Sequence, residues 1–172
     1  MNNTIQYTVD QDGIALLTID LPGMPMNVLT PELMADLDSL VERAATDDAV
    51  KGIVLTSGKS SFVAGADIKD MVTAYDRGIT PKEAFEFSYG LNQTLRKMET
   101  CGKPVAAAIN GLALGGGLEV CLACHYRVLA DDPRAVTGFP EVNIGLLPGA
   151  GGTQRTPRLI GFREAATMIL QC

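Results

Sequence analysis

Apolar residues recur along this chain in two rhythms, at every second position in short runs and at every third or fourth in longer ones, and their alternation predicts an α/β fold. Ile5–Val9 and Ile14–Ile19 are short β-type runs separated by Asp10-Gln11-Asp12-Gly13, where Asp-Gly ahead of an apolar run predicts a hairpin. Residues 21–27, with two prolines and a glycine, read as a loop. Thr30 can then cap a helix with Pro31 at its first position, and Leu33, Met34, Leu37, Leu40, Val41 and Ala44 form a stripe at helical spacing that ends near Asp47. Residues 52–56 read as a buried strand and residues 57–67 as a long loop rich in small residues. Thr80-Pro81-Lys82-Glu83 is a capping box, and Ala84, Phe87, Leu91, Leu95 and Met98 form one face of the helix it opens. Val105–Ile109 is another buried strand, closed by Asn110-Gly111; a glycine cluster then opens a further helix, and residues 126–130 and 135–137 read as strands. The order β-α-β-α-β favours parallel pairing with right-handed crossovers over a sandwich.

The glycine cluster carries the candidate chemistry. Gly115-Gly116-Gly117-Leu118-Glu119 is followed by Pro140-Glu141 and then by Gly145-Leu146-Leu147-Pro148-Gly149-Ala150-Gly151-Gly152-Thr153-Gln154-Arg155. Glycines let the backbone approach a ligand closely with its amides turned toward it, and paired carboxylates can hold and deprotonate a water. Together they point to acid–base chemistry on a polarised carbonyl. Glu119 stands between Leu118 and Val120 in a helix that otherwise reads as buried, and a buried carboxylate is paired, protonated or catalytic. Glu141 on its own is a weaker signal, because a glutamate after a proline in a loop is usually solvated.

With 172 residues, 47% of them hydrophobic and 20% charged, the chain fits one globular domain over residues 1–172 that buries about 70% of its unfolded surface. The net charge of −6 argues against nucleic acid or anionic lipid as a partner, since neither polyanion gains from meeting such a surface. Small anions could still be held by Lys59, Lys69, Lys103 and Arg155, or by amides at helix N-termini. Residues 112–123, the longest apolar stretch, are interrupted by three glycines and Glu119, so no integral membrane segment is expected. Residues 1–5 lack the basic and apolar regions of a signal peptide, which reads as a cytoplasmic protein.

Five other motifs fail on inspection. Cys121-Leu122-Ala123-Cys124-His125 has the spacing of a haem attachment site, but its cysteines sit in an apolar helical run where thiols behave as small hydrophobes, and attachment needs export. A zinc site lacks a second ligand pair, and all four cysteines, including Cys101 and Cys172, read as reduced thiols, so no metal is expected. Gly58-Lys59-Ser60 imitates the end of a P-loop, but Ile53 stands where the motif needs its first glycine. Neither glycine cluster supplies the three glycines of a dinucleotide fingerprint, and no glycine–serine nucleophile elbow is present.

Five segments, in order, resemble the crotonase (enoyl-CoA hydratase/isomerase) superfamily: Pro25-Met26-Asn27-Val28-Leu29, Ala64-Gly65-Ala66-Asp67-Ile68-Lys69, Lys103-Pro104-Val105-Ala106-Ala107, Asn110-Gly111 through Glu119, and Pro140 through Arg155. Within it, Cys124-His125-Tyr126-Arg127, Asp131-Asp132-Pro133 and Pro157-Arg158-Leu159-Ile160-Gly161 are most like the amino-terminal domains of multifunctional fatty-acid oxidation α-subunits. The resemblance implies a crotonase-like α/β fold of repeated β-β-α units, with carboxy-terminal helices, which complete the acyl pocket, lying beyond this chain.

It also implies an enoyl-CoA hydratase of fatty-acid β-oxidation. The amides of Ala66 and Gly116 would form an oxyanion hole for the thioester carbonyl, and Ala64, Gly65, Asp67 and Ile68 would line the CoA channel. Glu119 would orient and activate water and Glu141 would exchange a proton at the α-carbon, a role that also suits double-bond isomerisation. Met24 stands where many members carry a lysine near CoA. The segment itself needs no cofactor, the CoA thioester being substrate; NAD would serve only a hydroxyacyl-CoA dehydrogenase region outside it. An oligomer and a thiolase β-subunit partner are implied as well. The alternatives are a crotonase-family isomerase or thioester hydrolase, and a non-catalytic acyl-CoA-binding or assembly module.

Overall fold

A computed structural model describes residues 4–171; Met1, Asn2, Asn3 and Cys172, with the amino-terminal reading and the fourth thiol, lie outside the described residues. Strands β1 (Ile5–Val9) and β2 (Ile14–Ile19) form the expected antiparallel hairpin. Asp10 Oδ1 accepts from the amides of Asp12 and Ile14, and Gly13 adopts φ +82°, which closes the turn. Helix α1 (Pro31–Thr46) crosses to β3 (Gly52–Ser57), which lies parallel to β2. After α2 (Ile68–Asp76) and α3 (Pro81–Thr100), β4 (Val105–Ile109) adds parallel to β3. The short β5 (Ala113–Leu114) leads into α4 (Gly116–Ala123), and β6 (Tyr126–Leu129) closes a five-stranded sheet of order β1-β2-β3-β4-β6. A second, two-stranded parallel sheet pairs β5 with β7 (Thr137–Gly138), followed by a 3₁₀ turn (Pro140–Ile144), α5 (Gly152–Ile160) and α6 (Phe162–Leu170).

The α/β order and parallel core agree with the sequence reading. Alternate residues of three strands, Leu17 and Ile19, Ile53 and Leu55, Val105, Ala107 and Ile109, are buried in one core with Leu33, Leu37, Val41 and Ala44 of α1. Each such fully buried aliphatic side chain contributes about 1.5–3 kcal/mol. Thr30 caps α1 by accepting from Leu33 N at 3.2 Å, and the Thr80–Glu83 capping box forms in both directions.

Two elements depart from the expected pattern. Helix α2 falls just past the predicted loop, where no helix is expected; Ile68, Met71, Val72 and Tyr75 recur along it at helical spacing, yet all four are exposed and the helix buries none of its residues. In α3 only the carboxy-terminal part of the expected face is buried: Leu95 and Met98 join the core, whereas Phe87 is 53% exposed and Phe85 stacks on Tyr89 at the surface. Among the described residues no helix is long and apolar enough to cross a membrane.

Candidate active site

The loop leaving β2 is tied down by one polar side chain in an otherwise apolar place. Asn27 is fully buried; its Oδ1 accepts from Leu21 N at 3.0 Å, and its Nδ2 shares two hydrogens among Ser57 Oγ (2.8 Å), Ile19 O (3.0 Å) and Phe62 O (3.1 Å). Satisfying all these groups fixes residues 27–29 beside residues 64–67. Ala64 N donates to Asn27 O at 2.8 Å and Leu29 N to Gly65 O at 2.7 Å, with Leu29 and Ala66 forming a parallel bridge. In such a bridge the flanking groups make the bonds, so the Ala66 N–H points away from Leu29.

On the far side, Leu114 N donates to Val63 O and Gly115 N to Gly138 O. The contact is glycine-sized: a Cβ on Gly65 would stand 3.3 Å from Leu114 O, and one on Gly117 would run into Val63 O. Gly116 begins α4, where the helix leaves its first amides without intrahelical acceptors. Among the described residues neither Ala66 N nor Gly116 N donates to a backbone carbonyl. Thus two free amides lie on segments packed directly against each other.

Both glutamates come to this first turn of α4. Gly115 has φ +51°, and the Glu141 carboxylate fills the space a side chain there would need; Glu119 Oε2 lies 3.9 Å from the place of a Cβ on Gly116. Glu119 is 2% exposed, and its Oε1 accepts from Ala150 N at 2.8 Å and Gly152 N at 2.6 Å. Burial pushes its carboxyl up to about 7; the two amides and Arg155 oppose the shift, and the Glu141 charge adds to it. Burial raises Glu141 too, and Glu141 Oε2 is a buried acceptor without a hydrogen-bond partner among the described residues. Burial, with a smaller push from the Glu141 charge, thus lets Glu119 hold a proton near neutrality. That combination, one group poised to accept a proton and one to give it, is what acid–base catalysis at neutral pH requires.

The remaining expected positions sit nearby with distinct fates. Ala64 is half-buried and Gly65 buried; Asp67 caps α2 by accepting from Lys69 N at 2.8 Å, and Ile68 is exposed at that helix's first position. Three of the four cations read as free for small anions are committed internally, which corrects that expectation. Lys59 Nζ reaches Asp20, Leu21 O and Met24 O; Lys103 Nζ reaches Ala44 O and Asp47 O; Arg155 pairs with Glu99 and Ala150 O. His125 Nδ1 accepts from Val105 N at 3.0 Å, a structural contact that joins β4 to the end of α4. Cys121 and Cys124 are buried thiols, Cys124 pushed up to about 12 by burial and Cys121 well above its usual range.

A groove of about 630 Å3 runs between α3 and α5 and is lined by Tyr89, Asn92, Arg96, Glu99 and Arg155 among others, but by neither Glu119 nor Glu141. The carboxylate pair remains the candidate chemical site, because proton transfer needs the groups themselves within reach of the reacting atoms. Sequence reading did not identify Asn27, Ser88, Asn92, Glu99 or Arg155 as supports of this site. For Asn27 a signal existed, an amide side chain flanked by apolar residues in a proline-rich loop. The others act through partners distant in sequence.

A largely parallel sheet with crossover helices, a glycine-rich entry to α4 and the buried Glu119 beside the half-buried Glu141 define a crotonase-type α/β fold. The chain belongs to the enoyl-CoA hydratase/isomerase family, which it matches over residues 10–172. It is 45% identical over 171 residues to the fatty acid oxidation complex subunit alpha of Shewanella oneidensis, covering 99% of this chain and 24% of that protein. With the subunit of the same description from Idiomarina loihiensis it shares 45% identity over 163 residues, 94% of this chain and 22% of the other. It therefore spans about a quarter of the length of these curated relatives. Among solved structures, an enoyl-CoA hydratase from Bacillus anthracis superposes with a TM-score of 0.85 at 31% identity, covering 96% of this chain and 62% of that one. An enoyl-CoA hydratase from Thermoplasma volcanium gives a TM-score of 0.87 at 30% identity, covering 98% and 64%.

Proposed function

We propose that residues 1–172 are the part that carries the reacting groups of a hydratase domain, one that adds water across the 2,3 double bond of a trans-2-enoyl-CoA, giving the 3-hydroxyacyl-CoA. The observation that carries this reading is the meeting of Glu119 and Glu141 over the first turn of α4 with both carboxyls raised by burial. Glu119, as its carboxylate, takes a proton from water as the oxygen bonds to C3, and Glu141 delivers a proton to C2; each step of this kind contributes about 100- to 10,000-fold. The negative charge that grows on the thioester oxygen is met by Ala66 N–H and Gly116 N–H, the two amides without backbone acceptors; removing one such donor typically costs about 100- to 1000-fold. Both are backbone groups, which accounts for small residues at these positions.

Ala64, Gly65, Asp67 and Ile68 line the path of CoA in this reading, Asp67 through its backbone because its carboxylate caps α2. The open Glu141 Oε2 also suits moving a proton between C2 and C4, so isomerisation is a secondary activity of the same centre. The segment works without a cofactor. From the names of the curated relatives we infer a place in a fatty-acid oxidation complex; the family resemblance, rather than those names, is the ground for proposing a thiolase partner, an oligomeric assembly, a cytoplasmic setting and NAD used only by a dehydrogenase region outside this segment. The test is loss of enoyl-thioester absorbance in the parent, Glu119→Gln and Glu141→Gln proteins. Each variant should bind the CoA ester and lose hydration by at least about 100-fold. Near-parental turnover in either sinks the two-glutamate mechanism.

A further inference from the structure

Helix α3 supplies none of the groups assigned to the reaction, yet two of its side chains bond the loop whose amides hold Glu119, and a third pairs with Arg155, which bonds the same loop. Ser88 Oγ and Asn92 Nδ2 donate to Gly149 O at 3.0 and 2.9 Å. That carbonyl belongs to the same planar peptide unit as Ala150 N–H, which donates to Glu119 Oε1 at 2.8 Å. A donor fixed on one end of a rigid unit fixes the direction of the other end and polarises it. The next unit, Ala150–Gly151, does not itself donate to Glu119 but lies between the two amides that do, those of Ala150 and Gly152. Arg155 Nη1 donates to Ala150 O at 2.8 Å while Arg155 Nε donates to Glu99 Oε1 at 2.6 Å, with Arg96 on the other Glu99 oxygen at 3.2 Å. Gly151, at φ +94°, leaves the space in which the Arg155 guanidinium packs. The Arg155 bond holds the Glu99 carboxyl below its usual range, so the pair is charged.

We propose that Ser88, Asn92 and the Glu99–Arg155 pair are positioning residues that set both the aim and the proton affinity of Glu119, Ser88 and Asn92 through the Gly149–Ala150 peptide unit and the pair by fixing the Ala150 carbonyl between the two donating amides. This rests on the hydratase reading for its catalytic consequence but not for its effect on Glu119 itself. The charged groups acting on Glu119 are Glu141 from the 3₁₀ turn and Arg155 from α5, with Glu99 of α3 behind Arg155; β4 and β5 carry no charge. Replacing Ser88 and Asn92 by alanine alters none of these charges, so any change in Glu119 titration in that variant reports the amide. Weaker donation to a carboxylate raises its pKa.

The experiment combines 13C-NMR titration of the Glu119 carboxyl with steady-state kinetics on a short enoyl-CoA in three proteins: parent, Ser88→Ala with Asn92→Ala, and Arg155→Lys. Lysine keeps the positive charge but cannot bridge Glu99 and Ala150 O with a planar fork. In both variants the Glu119 titration should move to higher pH, the acid limb of the kcat profile should move with it, and kcat should fall about tenfold with KM within about twofold. An unmoved titration and profile in the alanine variant, with only a lower Tm, would overturn the proposal; should Arg155→Lys not fold, the alanine variant decides alone. If the Glu119 titration moves as expected while the parent itself fails to hydrate enoyl-CoA, the positioning role stands and the hydratase reading falls.

Discussion

Burial of Glu119 should make the protein's stability depend on pH in a way that one isosteric substitution removes. The folded carboxyl holds its proton up to about 7, whereas the ordinary value is 4.5. The folded state therefore keeps a proton that the unfolded chain has lost, and the stability tied to it is fully present below about 4.5 and declines as the pH rises through about 7. A gap of about 2.5 pH units at about 1.4 kcal/mol each makes the decline about 3 kcal/mol. Glu119→Gln keeps an oxygen that accepts from Ala150 N and Gly152 N but cannot ionise. Other groups titrate in both proteins, so the difference between parent and variant isolates this site, apart from Glu141, which loses a charged neighbour. Urea unfolding followed by circular dichroism from pH 4 to 8 reads the effect. The variant should gain about 3 kcal/mol relative to the parent across that range, or about 6–12 °C in Tm for a chain of this size. Stability curves that run parallel, with a difference independent of pH, would refute the account of Glu119 as a carboxylate held against ionisation.

Gly115→Ala should damage the site more than a methyl group would elsewhere, because φ +51° and the Glu141 carboxylate both exclude a Cβ; displaced Glu141 should appear as a loss of turnover of at least about tenfold, and unchanged kcat would contradict the packing described. Cys121→Ser with Cys124→Ser should lower thermal stability by about 1–3 kcal/mol, since a buried hydroxyl replaces a thiol, while turnover is retained. A Soret band in the parent that the double variant lacks would overturn the packing role of these thiols.

The sequence made the core elements legible wherever burial imposes a period. Leu33, Leu37, Val41 and Ala44 mark α1 because each faces the sheet, and Thr30 and Thr80 mark helix starts because their side chains are the donors' nearest acceptors. Helix α2 was legible in principle, since Asp67 caps it and Ile68, Met71, Val72 and Tyr75 repeat at helical spacing, but that stripe faces no core. The exposed Phe87 is a second apolar residue at helical spacing that the fold leaves uncovered. Glu119 was legible as a carboxylate in apolar company. Its partners Ala150 and Gly152 lie 31 and 33 positions away, and Asn92 and Ser88 reach Gly149 over 57 and 61 positions. Such contacts follow from sheet order and helix packing, which local spacing does not encode.

The chemistry assigned to the glutamate pair is tested most directly by incubating the protein with a short trans-2-enoyl-CoA in heavy-oxygen water and locating the label in the product by mass spectrometry. Hydration by Glu119 and Glu141 predicts a 3-hydroxyacyl-CoA with one solvent oxygen on C3 and an intact thioester, formed by the parent and lost in both glutamine variants. A shifted double bond without label, release of free CoA, or bound but unaltered enoyl-CoA would contradict it.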